Sequence, residues 1–142
     1  MTGEAGPLAV IERLRDAINA HDLDALVGCF AEDYDSEQPA HPGRTFRGNE
    51  QVRENWGQML GGVPDMCAEI LGAAVDGDTV WAEWSWTGTR ADGEPFAMTG
   101  VTVLGVREGR LGWARLYMEP VEEASPDVGT AIRRDLLERE QD

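Results

Sequence analysis

The sequence predicts an α+β fold, with helices packed on one face of a strongly curved antiparallel sheet. In the first sixty residues, apolar side chains recur every three to four positions, as on one face of a helix. Beyond them the period changes to two, which is typical of strands. Dipeptides that contain glycine separate the alternating runs, as tight turns do between paired strands. Helices first and strands after is the α+β arrangement.

Three helices are predicted before the strands. The first has an apolar face made by Leu8, Ile11, Leu14 and Ile18. Asp22 is placed to cap a second, short helix. After a short strand and a proline-rich loop in DYDSEQPAHPG, Asn49 is predicted to cap the third helix, which ends at Gly61-Gly62.

Four long strands follow in the segments MCAEILGAAV, TVWAEWSWTGTR, FAMTGVTVLGVR and LGWARLYMEPV. The dipeptides Asp76-Gly77, Asp92-Gly93 and Glu108-Gly109 lie between them as hairpin turns. Successive strands joined by such turns predict an antiparallel meander.

Length and charge exclude several classes of function. A chain of 142 residues fits one domain. With 27 acidic against 12 basic residues and a net charge of −15, it lacks the basic footprint that nucleic acid or an anionic membrane requires. It has no apolar run of membrane-spanning length and no signal-peptide pattern, so we expect a cytoplasmic protein. Its two cysteines and two histidines match no ligand spacing, so we expect no metal.

The stretch TVWAEWSWTG poses a question of sheet register. Trp81, Glu83 and Ser85 share one face of the strand, while Trp84 and Trp86 share the other. Either Glu83 faces water and the two indoles form the core, or Glu83 lies in a pocket and the indoles cover a partner surface.

Three local motifs resemble one known superfamily. They are AINAHDLDALVGCFAEDY, FRGNEQVRENW and REGRLGWARLYMEP. Together with the order of elements, they resemble the SnoaL-like group of the nuclear transport factor 2-like superfamily over about residues 8–121. This resemblance implies a cone-shaped α+β barrel over residues 1–123 that encloses a pocket, with residues 124–142 as a tail. It also implies chemistry without a cofactor and dimers formed through the outer sheet face.

The resemblance extends to limonene-epoxide-hydrolase-like members and implies a register. In that register the inward positions are Glu83, Ser85, Met98, Gly100, Thr102, Ala114, Leu116 and Met118. The outward positions are Trp84, Trp86, Arg115, Tyr117 and Glu119. We therefore expect a homodimer through the outer sheet face, with Trp84, Trp86, Arg115 and Tyr117 at the interface.

The same register places Glu83, Ser85 and Leu116 where such hydrolases carry an arginine and two aspartates. The hydrolase mechanism in that form is therefore excluded. What remains is a candidate catalytic set of Asp35, Glu37 and Glu83, with His41 in the adjoining loop. Carboxylates enclosed together repel one another, so their pKa values separate and supply an acid and a base. The alternatives are that Asp35 is solvated at the pocket mouth and that His41 only structures its loop.

These expectations favour a cyclase or isomerase that needs no cofactor and acts on an apolar, carbonyl-bearing molecule. A non-catalytic binder of a hydrophobic molecule is the first alternative, and an epoxide hydrolase with a non-standard site is the second. The predicted substrate-binding residues are Trp56, Met59, Trp81, Ser85, Met98, Thr102, Leu116 and Met118. Trp56 and Met59 fit a purely core role as well.

The tail is predicted to form a short helix capped by Asp127. Its apolar stripe is Val128, Ile132, Leu136 and Leu137. We expect the stripe to dock, either over the pocket mouth as a lid or across a dimer partner, because so short a helix is marginal alone.

Overall fold

The computed structural model describes residues 6–138 and confirms the α+β fold. The helices are α1 (Pro7–Ala20), α2 (Leu23–Gly28), α3 (Asn49–Gly62) and α4 (Val128–Ile132). The strands are β1 (Phe30–Glu37), β2 (Phe46–Arg47), β3 (Cys67–Asp76), β4 (Thr79–Thr89), β5 (Pro95–Arg107) and β6 (Arg110–Pro120). They form one sheet in the order β2-β1-β6-β5-β4-β3. Only the β1–β6 pair is parallel in the described sheet, so β3 to β6 make the predicted meander.

Helix α1 follows the predicted apolar period. It begins at Pro7, a favoured first residue, and its buried side chains are Val10, Ile11, Leu14, Ala17 and Ile18. The next helix, α2, has the predicted cap, because Asp22 Oδ1 accepts the Ala25 N–H at 3.0 Å. These two helices supply one side of the core.

The predicted cap of α3 is wrong by one residue. Gly48 precedes the helix with a φ of 100°, and no side chain caps its first turn. Asn49 is instead the first helical residue, and its amide donates to the Phe30 carbonyl at 3.4 Å. This bond ties the start of α3 to β1. The helix ends at Gly62, as the sequence predicts.

Strand β4 settles the register question, and the predicted register of this strand is wrong. Val80, Ala82, Trp84 and Trp86 face the helices, and Trp84 and Trp86 are only 1% and 8% exposed. Glu83 and Ser85 therefore lie on the outer face, the side of the sheet away from the helices. Burying two indoles stabilises the fold, whereas burying a carboxylate would destabilise it.

The predicted register of β5 and β6 agrees with the structure. Met98 pairs with Trp86, and Gly100 with Trp84, so both share the inner face with the indoles. Thr102, Ala114 and Met118 are buried on the same face. Gly100 has a φ of 152°, and a Cβ there would lie 2.0 Å from the Tyr117 carbonyl oxygen, so no larger residue fits.

Two polar side chains fasten the end of α1 to the sheet. The Asn19 amide bonds both backbone groups of Ala68, its oxygen accepting at 2.6 Å and its nitrogen donating at 3.0 Å. The His21 ring lies 3.0 Å from the Met66 carbonyl oxygen. These contacts hold the helices over the sheet and so fix the width of the space between them.

The segment after Pro120 carries a short helix. Asp127 Oδ1 accepts the Thr130 N–H at 2.8 Å, and a π-helical turn over Arg133–Leu137 continues α4. The apolar stripe described above is exposed in this chain. That it docks stays a prediction. Among residues 6–138, no helix is long and apolar enough to cross a membrane.

Candidate functional site

A cavity of about 200 Å³ lies between the helices and the inner face of the sheet. Its walls come from α1, β1, β2, α3, β4, β5 and β6, so every layer of the cone contributes. The apolar lining residues are Leu14, Phe30, Phe46, Val52, Trp56, Met59, Trp84, Trp86, Met98, Leu104, Leu116 and Met118. A mainly apolar cavity with a few polar groups is characteristic of a small-molecule site.

Three indoles form one aromatic cluster in the cavity lining. The Trp56 and Trp86 rings meet edge to face with centroids 5.2 Å apart, and the Trp84 and Trp86 centroids are 6.1 Å apart. The Trp84 N–H donates to Thr102 Oγ1 at 2.9 Å, which fixes that ring. The Trp86 N–H is equally buried but has no partner among the described residues.

Two hydroxyl groups reach the cavity from β1. Tyr34 and Ser36 are two residues apart, so both point inward. Burial raises the pKa of Tyr34 to about 12, and the nearby Ser36 hydroxyl opposes this shift only in part. Tyr34 therefore stays protonated at neutral pH and is able to donate a hydrogen bond. Ser36 Oγ is buried and has no hydrogen-bond partner within residues 6–138.

The remaining polar lining comes from the middle of α3 and from the segment between β1 and β2. Arg44 donates to Gln38 Oε1 at 2.9 Å, and the Asn55 amide oxygen accepts from Gln51 at 2.8 Å. Arg44 is exposed, and it is the one charged residue in the lining drawn from residues 6–138. No carboxylate in the described chain lines the cavity.

The expected carboxylate cluster does not form. Asp35 is exposed and forms an ion pair with Arg47 at 3.7 Å. Glu37 is exposed and its neighbour across the β1–β6 pair is Arg115, while Glu83 lies two strands beyond β6 on the outer face. The prediction that these carboxylates share an inward pocket is therefore wrong, because Tyr34 and Ser36 take the inward positions of β1.

His41 lies outside the cavity as well. Its Nε2 atom is 2.8 Å from Glu119 Oε2, and both side chains are substantially exposed. The contact joins the loop after β1 to the end of β6. The contact with Glu119 thus favours the alternative in which His41 only structures its loop.

Most of the predicted substrate-binding residues do line the cavity. They are Trp56, Met59, Met98, Thr102, Leu116 and Met118. Trp81 and Ser85 do not, since both share the outer face of β4 with Glu83. Their predicted position inside the cone is wrong for the same reason as that of Glu83.

Five polar lining residues were not predicted from the sequence: Tyr34, Ser36, Gln38, Arg44 and Asn55. The first three follow one another at a period of two, which was the available signal. The sequence offers no comparable signal for Arg44, which follows the prolines of the loop. In the part of the chain that the structure describes, no group of three or more potential metal-ligating side chains comes together.

Solved structures with this architecture include proteins with different stated activities. IdmH, a proposed polyketide cyclase from Streptomyces antibioticus, is 26% identical, with a TM-score of 0.69 over 80% of this chain and 91% of its own. A proposed isomerase from Bacillus subtilis is 18% identical, with a TM-score of 0.70 over 80% and 86% of the two chains. An LEH-like epoxide hydrolase from M. tuberculosis is 19% identical, with a TM-score of 0.69 over 80% and 82%. At under 25% identity, the last two show the fold alone.

The family assignment rests on sequence and fold together. The chain matches no curated protein. The SnoaL-like domain, however, matches residues 11–112, which include most of α1, all of α2 and α3, the complete strands β1 to β5 and the first residues of β6. The cone described above is the fold shared by the three structural neighbours. This chain therefore belongs to the SnoaL-like domain family.

Proposed function

We propose that this protein binds a small, mainly apolar molecule inside the cone. The observation that carries the proposal is the cavity of about 200 Å³, walled by indoles and methionines and reached by a few hydrogen-bonding groups. For comparison, an apolar cavity of roughly 150 Å³ in another protein holds benzene. The space therefore suits a molecule of one or two rings. Methionine side chains adapt their shape, which favours such a ligand.

Filling the cavity tests this proposal. Met98 lines the cavity and is only half-buried, so Met98→Trp should occupy the space with little change in folding. We expect ethylbenzene to raise the melting temperature of the unaltered protein and to leave that of Met98→Trp unchanged. The matched control is Thr87→Trp on the exposed outer face of β4, which should respond like the unaltered protein. Equal responses of all three proteins, or no response in any, would contradict the proposal.

A second candidate is a cyclase or isomerase activity on the bound molecule. IdmH, at 26% identity, supports it, because its stated activity is that of a proposed polyketide cyclase. The geometry supports a role for donors rather than carboxylates. Tyr34 remains protonated, so its hydroxyl can stabilise an oxyanion as one forms, an effect commonly worth about 10² to 10³ in rate per donor. The cavity walls would add to this rate acceleration by holding the reacting atoms close together.

In such a reaction the substrate's own enol carbon attacks a carbonyl carbon of the same molecule. The new carbon–carbon bond closes the ring, the carbonyl oxygen becomes an alkoxide and takes up the enol proton, and loss of water follows. The pocket shapes the chain and donates hydrogen bonds to the alkoxide. No pocket carboxylate is needed in this scheme.

A linear seven-carbon triketone is a suitable probe, since it closes to a methylresorcinol with loss of water. We expect the protein to accelerate this closure above buffer, and Tyr34→Phe to reduce the acceleration about tenfold or more. Glu83→Gln and Glu37→Gln should keep the full rate, because both side chains lie outside the cavity. Ring closure no faster than in buffer would leave only the binding function. Loss of rate in Glu83→Gln would instead restore the carboxylate mechanism.

A further inference from the structure

We infer that the Trp86 N–H and the Ser36 hydroxyl are the polar anchors of the cavity, and that they select uncharged aromatic molecules with hydrogen-bond acceptors such as ketone oxygens. This inference rests on the proposed binding function and adds the chemical class of the ligand. It starts from a difference between two neighbouring tryptophans.

Trp84 and Trp86 lie on the same strand and face the same way, yet only one of them is satisfied. The Trp84 N–H bonds Thr102 Oγ1 at 2.9 Å, whereas the buried Trp86 N–H has no partner within residues 6–138. An indole N–H can only donate. Leaving it buried and unpaired destabilises a fold, so buried donors of this kind call for a specific explanation. Since Trp86 lines the cavity, an acceptor atom of a bound molecule supplies the missing partner.

Ser36 repeats the pattern on another strand. Its side chain is buried and lines the cavity, and Oγ makes no hydrogen bond in the described chain, although the Tyr34 hydroxyl lies near it. Ser36 lies on β1 and Trp86 on β4, and β6 and β5 separate these strands in the sheet. The two groups therefore meet a ligand from different sides. A molecule with acceptors at opposite ends of a ring is suited to both.

The surroundings favour an uncharged, flat ligand. None of the buried groups in the lining is charged, and the exposed Arg44 is already bonded to Gln38. The net charge of −15 also repels anions at long range. Beside the Trp86 N–H, the Trp56 ring meets Trp86 edge to face, which leaves aromatic surface for a planar molecule to contact.

Two probes of the same shape test the inference: para-diacetylbenzene, which carries two acceptors, and para-diethylbenzene, which carries none. We expect the unaltered protein to bind the diketone at least about tenfold more tightly, the value for one net hydrogen bond. Trp86→Phe, which keeps an aromatic ring but removes the donor, should reduce this preference about tenfold. Ser36→Ala should reduce it as well. In nitrogen–proton correlation spectra, the diketone should shift the indole signal that is missing from Trp86→Phe.

The matched control is Trp81→Phe, because Trp81 lies on the outer face of the same strand. Trp81→Phe should bind both probes like the unaltered protein. The indole signal that is missing from Trp81→Phe should not shift when the diketone is added to the unaltered protein. Equal binding of the two probes, or a preference that survives Trp86→Phe and Ser36→Ala, would overturn the inference while leaving the binding function intact. Failure of both probes to bind would count against the binding function itself. Where Trp86→Phe folds poorly, the preference of Ser36→Ala for the diketone decides.

Discussion

At the scale of single residues, Thr102 is the interior hydroxyl with the clearest predicted effect. It is buried and accepts the Trp84 N–H at 2.9 Å. Thr102→Val keeps the shape of the side chain but leaves the indole donor unpaired. We expect the free energy of unfolding in urea to fall by about 1–3 kcal/mol.

Thr99→Val provides the control. Thr99 is exposed on the outer face and donates to the Trp84 carbonyl at 3.1 Å. Its loss should change the free energy of unfolding by less than about 0.5 kcal/mol. Similar losses of unfolding free energy in both variants would mean that the bond from the Trp84 N–H to Thr102 is not the cause.

The site could be predicted from the sequence only where the prediction was right about which alternate residues of a strand face the cavity. Asp35 and Glu37 carry the side chains suited to acid–base chemistry, yet Tyr34 and Ser36 beside them are the residues that point inward. A shift of one residue moves every side chain of a strand to the other face. The chemistry of a side chain does not reveal which face of the strand it lies on. The packing of Tyr34 against Phe30 does reveal it.

At the scale of elements, Asp65 connects the turn after α3 to the end of β4. Its Oδ1 atom accepts the Thr89 N–H at 2.7 Å. This bond lowers the pKa of Asp65 below its ordinary value of 3.8. A lowered folded-state pKa stabilises the fold above the unfolded-state value, and that stabilisation is lost as the pH falls through the folded-state pKa.

We therefore expect Asp65→Asn to be less stable than the unaltered protein at about pH 6, and the difference to shrink between about pH 4 and pH 2. Melting temperatures across this range measure it. Asp78→Asn, in an exposed turn, is the control. A difference that stays constant with pH would show that the carboxylate charge is not responsible.

The elements themselves were largely predictable, and the exceptions have a common cause. Helix α1 and the meander follow from the spacing of apolar residues and from the turn-forming dipeptides. The tertiary structure leaves these local preferences in place. The resemblance implies the wrong register for β4, whereas the alternation of the strand itself also allows Trp84 and Trp86 in the core. Register depends on which face is buried, and that is a property of the whole sheet.

At the scale of the whole molecule, the outer sheet face remains the expected dimer surface, with Arg115 and Tyr117 but without Trp84 and Trp86. Trp84 and Trp86 are buried within the cone and cannot contribute, so that part of the prediction is wrong. Trp81 and Tyr117 are 40% and 43% exposed on the outer face, and Arg115 lies over the Trp113 ring at 4.8 Å. An exposed aromatic surface of this kind is uncommon in monomers.

We expect light scattering to give twice the chain mass of 15.5 kDa, and Tyr117→Glu to give the single mass. Val75→Glu is the control, because Val75 is 47% exposed but lies on the side of the edge strand opposite to Tyr117. A single mass for the unaltered protein at micromolar concentration would refute the dimer.

The parallel pairing of β1 with β6 has a consequence for biosynthesis. Strand β6 lies in the middle of the sheet, between β1 and β5, yet it is synthesised after the other five strands of that sheet. A nascent chain that ends before Arg110 holds β1 paired only with β2 and exposes the inner face of the incomplete sheet. Folding of the sheet must then await the release of β6 from the ribosome, and pairings between such distant segments form slowly. Chaperones that shield apolar surface would act on this protein before its final strand emerges.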